Sequence, residues 1–173
     1  MASDNQPARY RMRQRMFSIG EDFEIEDAHG EPAFYVDGQV LHIRETFVIK
    51  DTSGREVATV RQKLLALRES MTIERDGATI GTVRKAWIAP LRDKFVIDMQ
   101  GGPDMVAQGS IWEHEYTISR DHEPVAAISK RWFSLTDSYG ITIQPGEDDA
   151  LILAIAVAID EMAHDPDEKH QGE

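Results

Sequence analysis

Cysteine is absent from the 173 residues, and positive charge is scarce, with 19 Lys and Arg against 31 Asp and Glu and a formal net charge of −12. The first absence excludes a disulfide scaffold and a thiol enzyme. The second works against nucleic acid and the anionic face of a membrane, unless positive charge is gathered locally enough to outweigh distant acids. Long apolar runs are missing as well. The longest, ALILAIAVAI at 150–159, has ten residues, half of the roughly 20 that a membrane-spanning helix needs, so no transmembrane segment is expected. The opening MASDNQPA has no apolar stretch of the secretory kind, and six Lys with no Cys fit a cytoplasmic protein.

Organised catalytic chemistry is missing too. No GxSxG elbow, HExxH, P-loop or helix-opening GxGxxG occurs. His29, His42, His114, His122, His164 and His170 show no HxH or HxxxH spacing that would turn two ligands toward one metal. They read as surface or turn residues. Neither an enzyme, a metal nor a cofactor is expected.

What is present is a repeat. An aromatic residue or Met, any residue, then Ile recurs at Phe23/Ile25, Phe47/Ile49, Met71/Ile73, Phe95/Ile97 and Tyr116/Ile118, with spacings of 24, 24, 24 and 21. Each unit passes through turn residues, such as those at 27–30, 51–54 and 76–77, into a second apolar stretch. Period-two alternation, β-branched residues and Asp/Gly turns are the marks of β-hairpins, here five in succession. Alternation at 10–16 and again at 139–143 adds a strand at each end. About a dozen short strands cannot lie in one open sheet without curling, so a closed, mainly β barrel is expected.

The segment that follows changes character. Asp148 and Asp149 precede the apolar run, His164 ends it, and Pro166 lies just beyond, which are the start and stop signals of a helix over about 149–164. A helix apolar around its whole circumference has to be buried. The lumen of the barrel is the place for it.

The stretches RYRMRQRMFSIGEDFEIEDAHGEPAFYVDG from residue 8, ISKRWFSLTDSYGITI from 128, and the helix ending AIAVAIDEM resemble the LURP-one-related family. With the hairpins between them they cover nearly all of 8–164. The resemblance implies a tubby-like fold, a closed barrel of twelve mostly antiparallel strands around one hydrophobic C-terminal helix. It also places the chain beside the phosphoinositide-binding tubby C-terminal domain and the phospholipid scramblases. The scramblases' cysteines, calcium-binding segment and proline-rich lead have no counterpart here, so scrambling is not carried over.

The domain reading follows: a flexible start at 1–8, one barrel domain with its central helix at 9–164, and a flexible polar tail at 165–173. Within it, Arg9, Arg11, Arg13 and Arg15 occupy an acid-free stretch, and the rest of the chain sums to −16. Arg61 with Lys63, Arg84 with Lys85, and Lys130 with Arg131 fall at equivalent hairpin ends, which antiparallel order would bring toward one rim. Arg11, Arg13, Arg15, Lys85, Lys130 and Arg131 are therefore the candidate ligand-binding residues, since guanidinium forks match phosphate oxygens. The function expected is a non-enzymatic module that binds anionic lipid head groups at a membrane surface. The alternative is a scaffold that engages a protein through a sheet edge or a Trp-bearing rim; nucleic acid stands last because of the charge. Ordinary surface pairing with the many acids is the bland account of the same cations. Trp87, Trp112 and Trp132 read as covers for the helix ends, and Asp160, on the buried helix, as the partner of an arginine from the wall.

Overall fold

The computed structural model describes residues 5–13, 22–41, 44–63, 69–86, 93–132 and 138–164. The inward face of its sheet is the sequence repeat itself: Ile25, Ile49, Ile73, Ile97 and Ile118 are all wholly buried, and Phe47, Met71, Phe95 and Tyr116, two residues before four of them, are buried beside them. Residues i and i+2 of a strand share a face, so the repeat lines the lumen, through both members in four hairpins and through Ile25 in the first.

The strands are β1 (Ala8–Arg13), β2 (Phe23–Asp27), β3 (Pro32–Leu41), β4 (Arg44–Asp51), β5 (Glu56–Gln62), β6 (Ser70–Arg75), β7 (Ala78–Ala86), β8 (Asp93–Met99), β9 (Met105–Ser110), β10 (Glu115–Arg120), β11 (Glu123–Ser129) and β12 (Ser138–Ile143). Each pairs antiparallel with its chain neighbours, and β1 closes the barrel on β12 through Ala8↔Ile143 to Arg13↔Ser138. In β1, Met12 is buried while Arg9 is exposed, as the alternation predicts.

Local chemistry fixes the tight turns. Asp27 Oδ1 accepts the N–H groups of His29 (2.7 Å) and Glu31 (3.0 Å), and Asp51 Oδ1 accepts those of Ser53 (2.9 Å) and Arg55 (3.1 Å). Each aspartate thus holds its own turn closed from the inside. A different constraint acts at Gly109, where φ is +151° and an added Cβ would lie 2.5 Å from the Glu115 carbonyl oxygen and 2.7 Å from the Tyr116 Cα. Both neighbours are backbone on the paired strand β10. Gly109→Ala is therefore expected to lower stability by roughly 2–3 kcal/mol through overpacking and backbone strain, read as a fall in the urea midpoint with the slope unchanged.

The helix α1 (Asp149–His164) fills the lumen, and every residue from Ile152 to Ile159 is wholly buried. Its first turn is capped by Asp148, whose Oδ1 accepts the Leu151 N–H at 3.1 Å. The outer face of the barrel carries Glu26, Lys50, Arg61, Glu74, Arg84 and Asp98, all partly exposed, which is the reverse of a lipid-embedded barrel with its apolar outside. Among the described residues no helix is long and apolar enough to cross a membrane. The expected loose ends at 1–8 and 165–173 fall largely on residues 1–4 and 165–173, outside the described residues.

Candidate functional site

Up-and-down connectivity sorts the connections into two ends of the barrel. At one end lie the short turns, with Asp27, Glu31, Asp51, Asp76, Asp104, Asp121 and Glu123, joined by Glu147, Asp148 and Asp149 at the start of the helix. At the other end lie the C-terminal ends of β1, β3, β5, β7, β9 and β11. There the sequence has placed Arg61 and Lys63, Arg84 and Lys85, Lys94, and Lys130 with Arg131. The barrel has an acidic end and a rim, basic by comparison, where these cations stand among Glu45, Glu69, Asp93, Glu113 and Glu115 at the starts of β4, β6, β8 and β10.

Several candidate cations are already engaged. Arg11 is ion-paired to Glu26 across β1 and β2. Arg61 Nη1 lies 3.2 Å from Glu74, and Arg84 makes a two-pronged pair with Asp98, its Nη2 reaching Oδ1 at 3.0 Å. The Arg84 hydrogen bonds, outweighing a modest burial effect, hold the Asp98 carboxyl below the usual range. Pairs as exposed as these are worth ~0–1 kcal/mol, yet they reduce the charge offered outward. Lys63, Lys94 and Lys130 form no ion pair among the described residues, and Arg131 Nε lies a long 3.9 Å from Glu115 Oε1, with 86% of the arginine side chain exposed. Of the other sequence candidates, Lys85 lies on the rim half-buried, while the side chain of Arg13 and all of Arg15 are outside the described residues.

Beside Lys130 and Arg131 the outer face of β9, β10 and β11 forms an open groove of about 710 Å³, lined by Gln108, Ser110, Glu115, Thr117, Ser129 and Arg131. Glu115 organises it. Its carboxylate accepts the Ser129 hydroxyl at 2.8 and 2.9 Å and the Lys130 N–H at 3.0 Å, so the turn that carries both cations is tied to β10. Trp112, in the β9–β10 connection at the same rim, keeps 49% of its surface exposed, whereas Ile111 beside it is buried. The expectation that Trp112 covers the helix end is corrected accordingly: the smaller, fully apolar neighbour takes the inward position. Trp87 and the side chain of Trp132 are outside the described residues. A second groove, about 250 Å³ on the outside of β2–β4, is lined by Asp22, Glu24, Asp37 and Lys50, a balance that repels an anion.

Inside the barrel, near the basic rim, the reading of the histidines as surface or turn residues is corrected at one position. His29 and His122 are exposed on turns, but His114 is buried. Two described side chains meet Asp160: His114, with Nε2 and Oδ1 2.8 Å apart, and Tyr139, whose hydroxyl donates to Oδ2 at 3.1 Å. The His114 and Tyr139 rings stack with centroids 4.3 Å apart. Burial, reinforced by the Asp160 charge, pushes the Tyr116 and Tyr139 hydroxyls well above their usual range, so both stay protonated. The cluster ties the C-terminal half of the helix to the wall. Among the described residues no group of three or more His, Cys, Asp or Glu is placed to hold a metal.

The acidic end ties the other half. Arg75 grips Asp148 with Nη1–Oδ2 at 2.6 Å and Nη2–Oδ1 at 3.2 Å, Arg120 grips Glu147 at 2.9 and 2.8 Å, and the Tyr10 hydroxyl donates to Asp149 at 2.5 Å. Burial pushes the Asp148 carboxyl up, but Arg75 and the capping N–H groups outweigh it and hold it below the usual range. Asp37 is held low by Gln39 and Lys50. A depressed folded value means that the stabilisation is present above the unfolded value of about 4 and is lost as pH falls through the folded one. The melting temperature is therefore expected to be level near pH 5–7 and to drop below about pH 4, with Asp148→Asn showing a shallower drop.

Set against known proteins, the sequence profile of the family described as LURP-one-related matches residues 8–160. The chain is 28% identical over 158 residues to a Bacillus subtilis (strain 168) protein described as uncharacterized protein YxjI, covering 91% of this chain and 95% of that one. Its fold is similar to the X-ray structure of an Arabidopsis thaliana protein, with a TM-score of 0.69 and 20% identity over 92% of this chain and 93% of the other.

Proposed function

We propose, from the premise that this chain belongs to the LURP-one-related family, that it is a non-enzymatic binding module whose basic rim holds anionic lipid head groups of the phosphoinositide kind. One observation carries the reading: the up-and-down order of the strands gathers Lys63, Lys94, Lys130 and Arg131 at one end of a chain whose net charge is −12. Lys130 and Arg131 stand first because the groove beside them offers room for a head group and Trp112 offers an exposed aromatic at the same level. Arg11, engaged by Glu26, recedes from the candidate list.

Each basic side chain near an anionic surface contributes about 1 kcal/mol. Reversing two of them in Lys130→Glu/Arg131→Glu removes at least about 2 kcal/mol, a thirty-fold loss or more. The measurement is flotation with neutral-lipid vesicles, with and without phosphoinositide, in low and in physiological salt. Binding that needs phosphoinositide, weakens with salt and falls in the double variant is the expected result. Equal recovery with neutral vesicles, or an unaffected double variant, would sink the reading.

The second reading, a protein-interaction scaffold, is favoured by the exposure of Trp112 on the same rim. Its sheet-edge form loses support, because among the described residues the barrel closes and leaves no edge strand to pair with. A salt-insensitive complex disrupted by Trp112→Ala would favour this reading.

A further inference from the structure

We propose that the outer groove of β9–β11 is a site for a polyol ring carrying a single phosphate, the ring lying on the uncharged strip of Gln108 and Thr117 and the phosphate on Arg131. The inference rests on the head-group reading of the preceding section and names the part of the head group that is recognised: the hydroxyls of the ring, with charge in second place.

The cations of the rim stand among Glu45, Glu69, Asp93, Glu113 and Glu115, and Arg61 and Arg84 are already paired along their strands. Little net charge is left there to draw in several phosphates at once. The groove repeats this balance on a smaller scale. The charged residues that line it are Glu115 and Arg131, one of each sign, and Lys94 flanks it on β8, opposite Gln108. One phosphate is matched by such a set. A second would be carried beside the Glu115 carboxylate, where like charges repel.

The uncharged wall says what the rest of the ligand is. Thr117 of β10 stands opposite Gln108 of β9 and Ala127 of β11, and all three face outward because they alternate with buried residues such as Ala107, Tyr116 and Ile128. Neighbouring strands lie about 4.8 Å apart and alternate residues of one strand about 7 Å, so Gln108, Thr117 and Glu115 present an amide, a hydroxyl and a carboxylate within the compass of one six-membered ring. Gln108 and Thr117 form no side-chain hydrogen bond among the described residues. Glu115 is already oriented by the Ser129 hydroxyl and the Lys130 N–H, which lowers the cost of ordering it around a ligand. Donors and acceptors mixed in this way suit hydroxyls, which do both, better than an ionised phosphate, which only accepts. Trp112, two residues beyond Ser110 at the end of the groove, is half-exposed and offers an apolar ring face to the C–H bonds of the polyol. The volume of about 710 Å³ lies within the range of roughly 300–1,000 Å³ that small-molecule sites occupy.

The test begins without a membrane. Isothermal titration calorimetry of the full chain would use inositol monophosphate, inositol trisphosphate, free inositol and inorganic phosphate. A ligand of this size in an open groove is expected to bind with a Kd of about 0.1–1 mM, the trisphosphate no more tightly than the monophosphate. Gln108→Ala/Thr117→Val changes no charge and removes two hydrogen-bonding groups from the surface, so it is expected to weaken the monophosphate about ten-fold. Flotation would then compare vesicles containing phosphatidylinositol with vesicles containing phosphatidylserine, lipids of equal charge of which only the first carries the ring. A preference for phosphatidylinositol that persists in salt and is lost in the double variant, with titration by the monophosphate, supports the proposal. Equal flotation with both lipids and equal titration by monophosphate and inorganic phosphate overturn it and leave the anionic-surface reading intact. A trisphosphate that binds more tightly than the monophosphate overturns the single-phosphate assignment. Ring-dependent titration with no flotation on either lipid supports the groove, with a soluble sugar phosphate as its ligand, and overturns the lipid reading. No heat with any probe and no flotation overturns both.

Discussion

Ile155→Asp is expected to abolish the cooperative fold. Ile155 sits mid-helix with no exposed surface, and Ile152 to Ile159 are enclosed on every side, so no rotation of the helix can bring a charge at this position to water. Losing the isoleucine forfeits about 1.5–3 kcal/mol of burial, and an unpaired buried carboxylate costs several kcal/mol more even after relaxation. Together these approach the whole stability of a domain, about 5–15 kcal/mol. Near-UV circular dichroism and urea titration would detect the loss. Ile155→Val, which keeps shape and polarity, should cost only about 0.5–1.5 kcal/mol. If the aspartate variant instead melted within a few degrees of the parent, the helix could not be central to the barrel in solution.

The same burial explains why the fold was legible. The repeat at 23, 47, 71, 95 and 116 is visible because a barrel wall is one hairpin used five times, and each copy has to point the same residue class at the same helix. The helix bounds, Asp149–His164, agree with the expectation because they are set by local signals: two acids, an apolar run, a histidine and a proline. The basic rim follows from topology alone, since antiparallel neighbours alternate direction.

Pairings across the barrel were not legible, because they depend on registers and on elements far apart in sequence. Arg75 and Asp148 are separated by 73 positions, and His114 and Asp160 by 46. Arg61 reaches Glu74 diagonally, in a register that sets Arg61 opposite Thr72 and Thr59 opposite Glu74; neither residue announces it. Charge alone pointed to an arginine for Asp160 and gave no sign of a histidine, which a left-handed turn (φ +51°) lets point inward. The signal that could have found it was the carboxylate itself, since a buried acid needs donors from whatever wall it faces.

That cluster yields the other large expected effect. His114→Ala is expected to cost about 3–5 kcal/mol, because it withdraws the ring that approaches Asp160 at 2.8 Å and leaves a buried carboxylate short of a donor. Tyr139→Phe removes a hydroxyl donor to the same carboxylate and should cost about 1.5–3 kcal/mol. If the three residues act as a unit, Asp160→Ala must make the loss of His114 cheaper, so the double variant should fall short of the sum of the singles by at least about 1 kcal/mol. Strict additivity would mean that His114 serves by packing against Tyr139 and not through the carboxylate. Alkaline titration separates the tyrosine's part. Its hydroxyl is pushed up by burial and by the Asp160 charge, so above about pH 10 the unfolded chain ionises first and stability falls as pH rises. Tyr139→Phe should make that fall shallower, with Tyr116 and Tyr10 supplying the remainder, while leaving unchanged the acid limb, which belongs to Asp148, Asp98 and Asp37. The carboxylates that hold the start of the helix would then fail below about pH 4, and the tyrosines, Tyr116 and Tyr139 around its C-terminal half and Tyr10 at its start, above about pH 10.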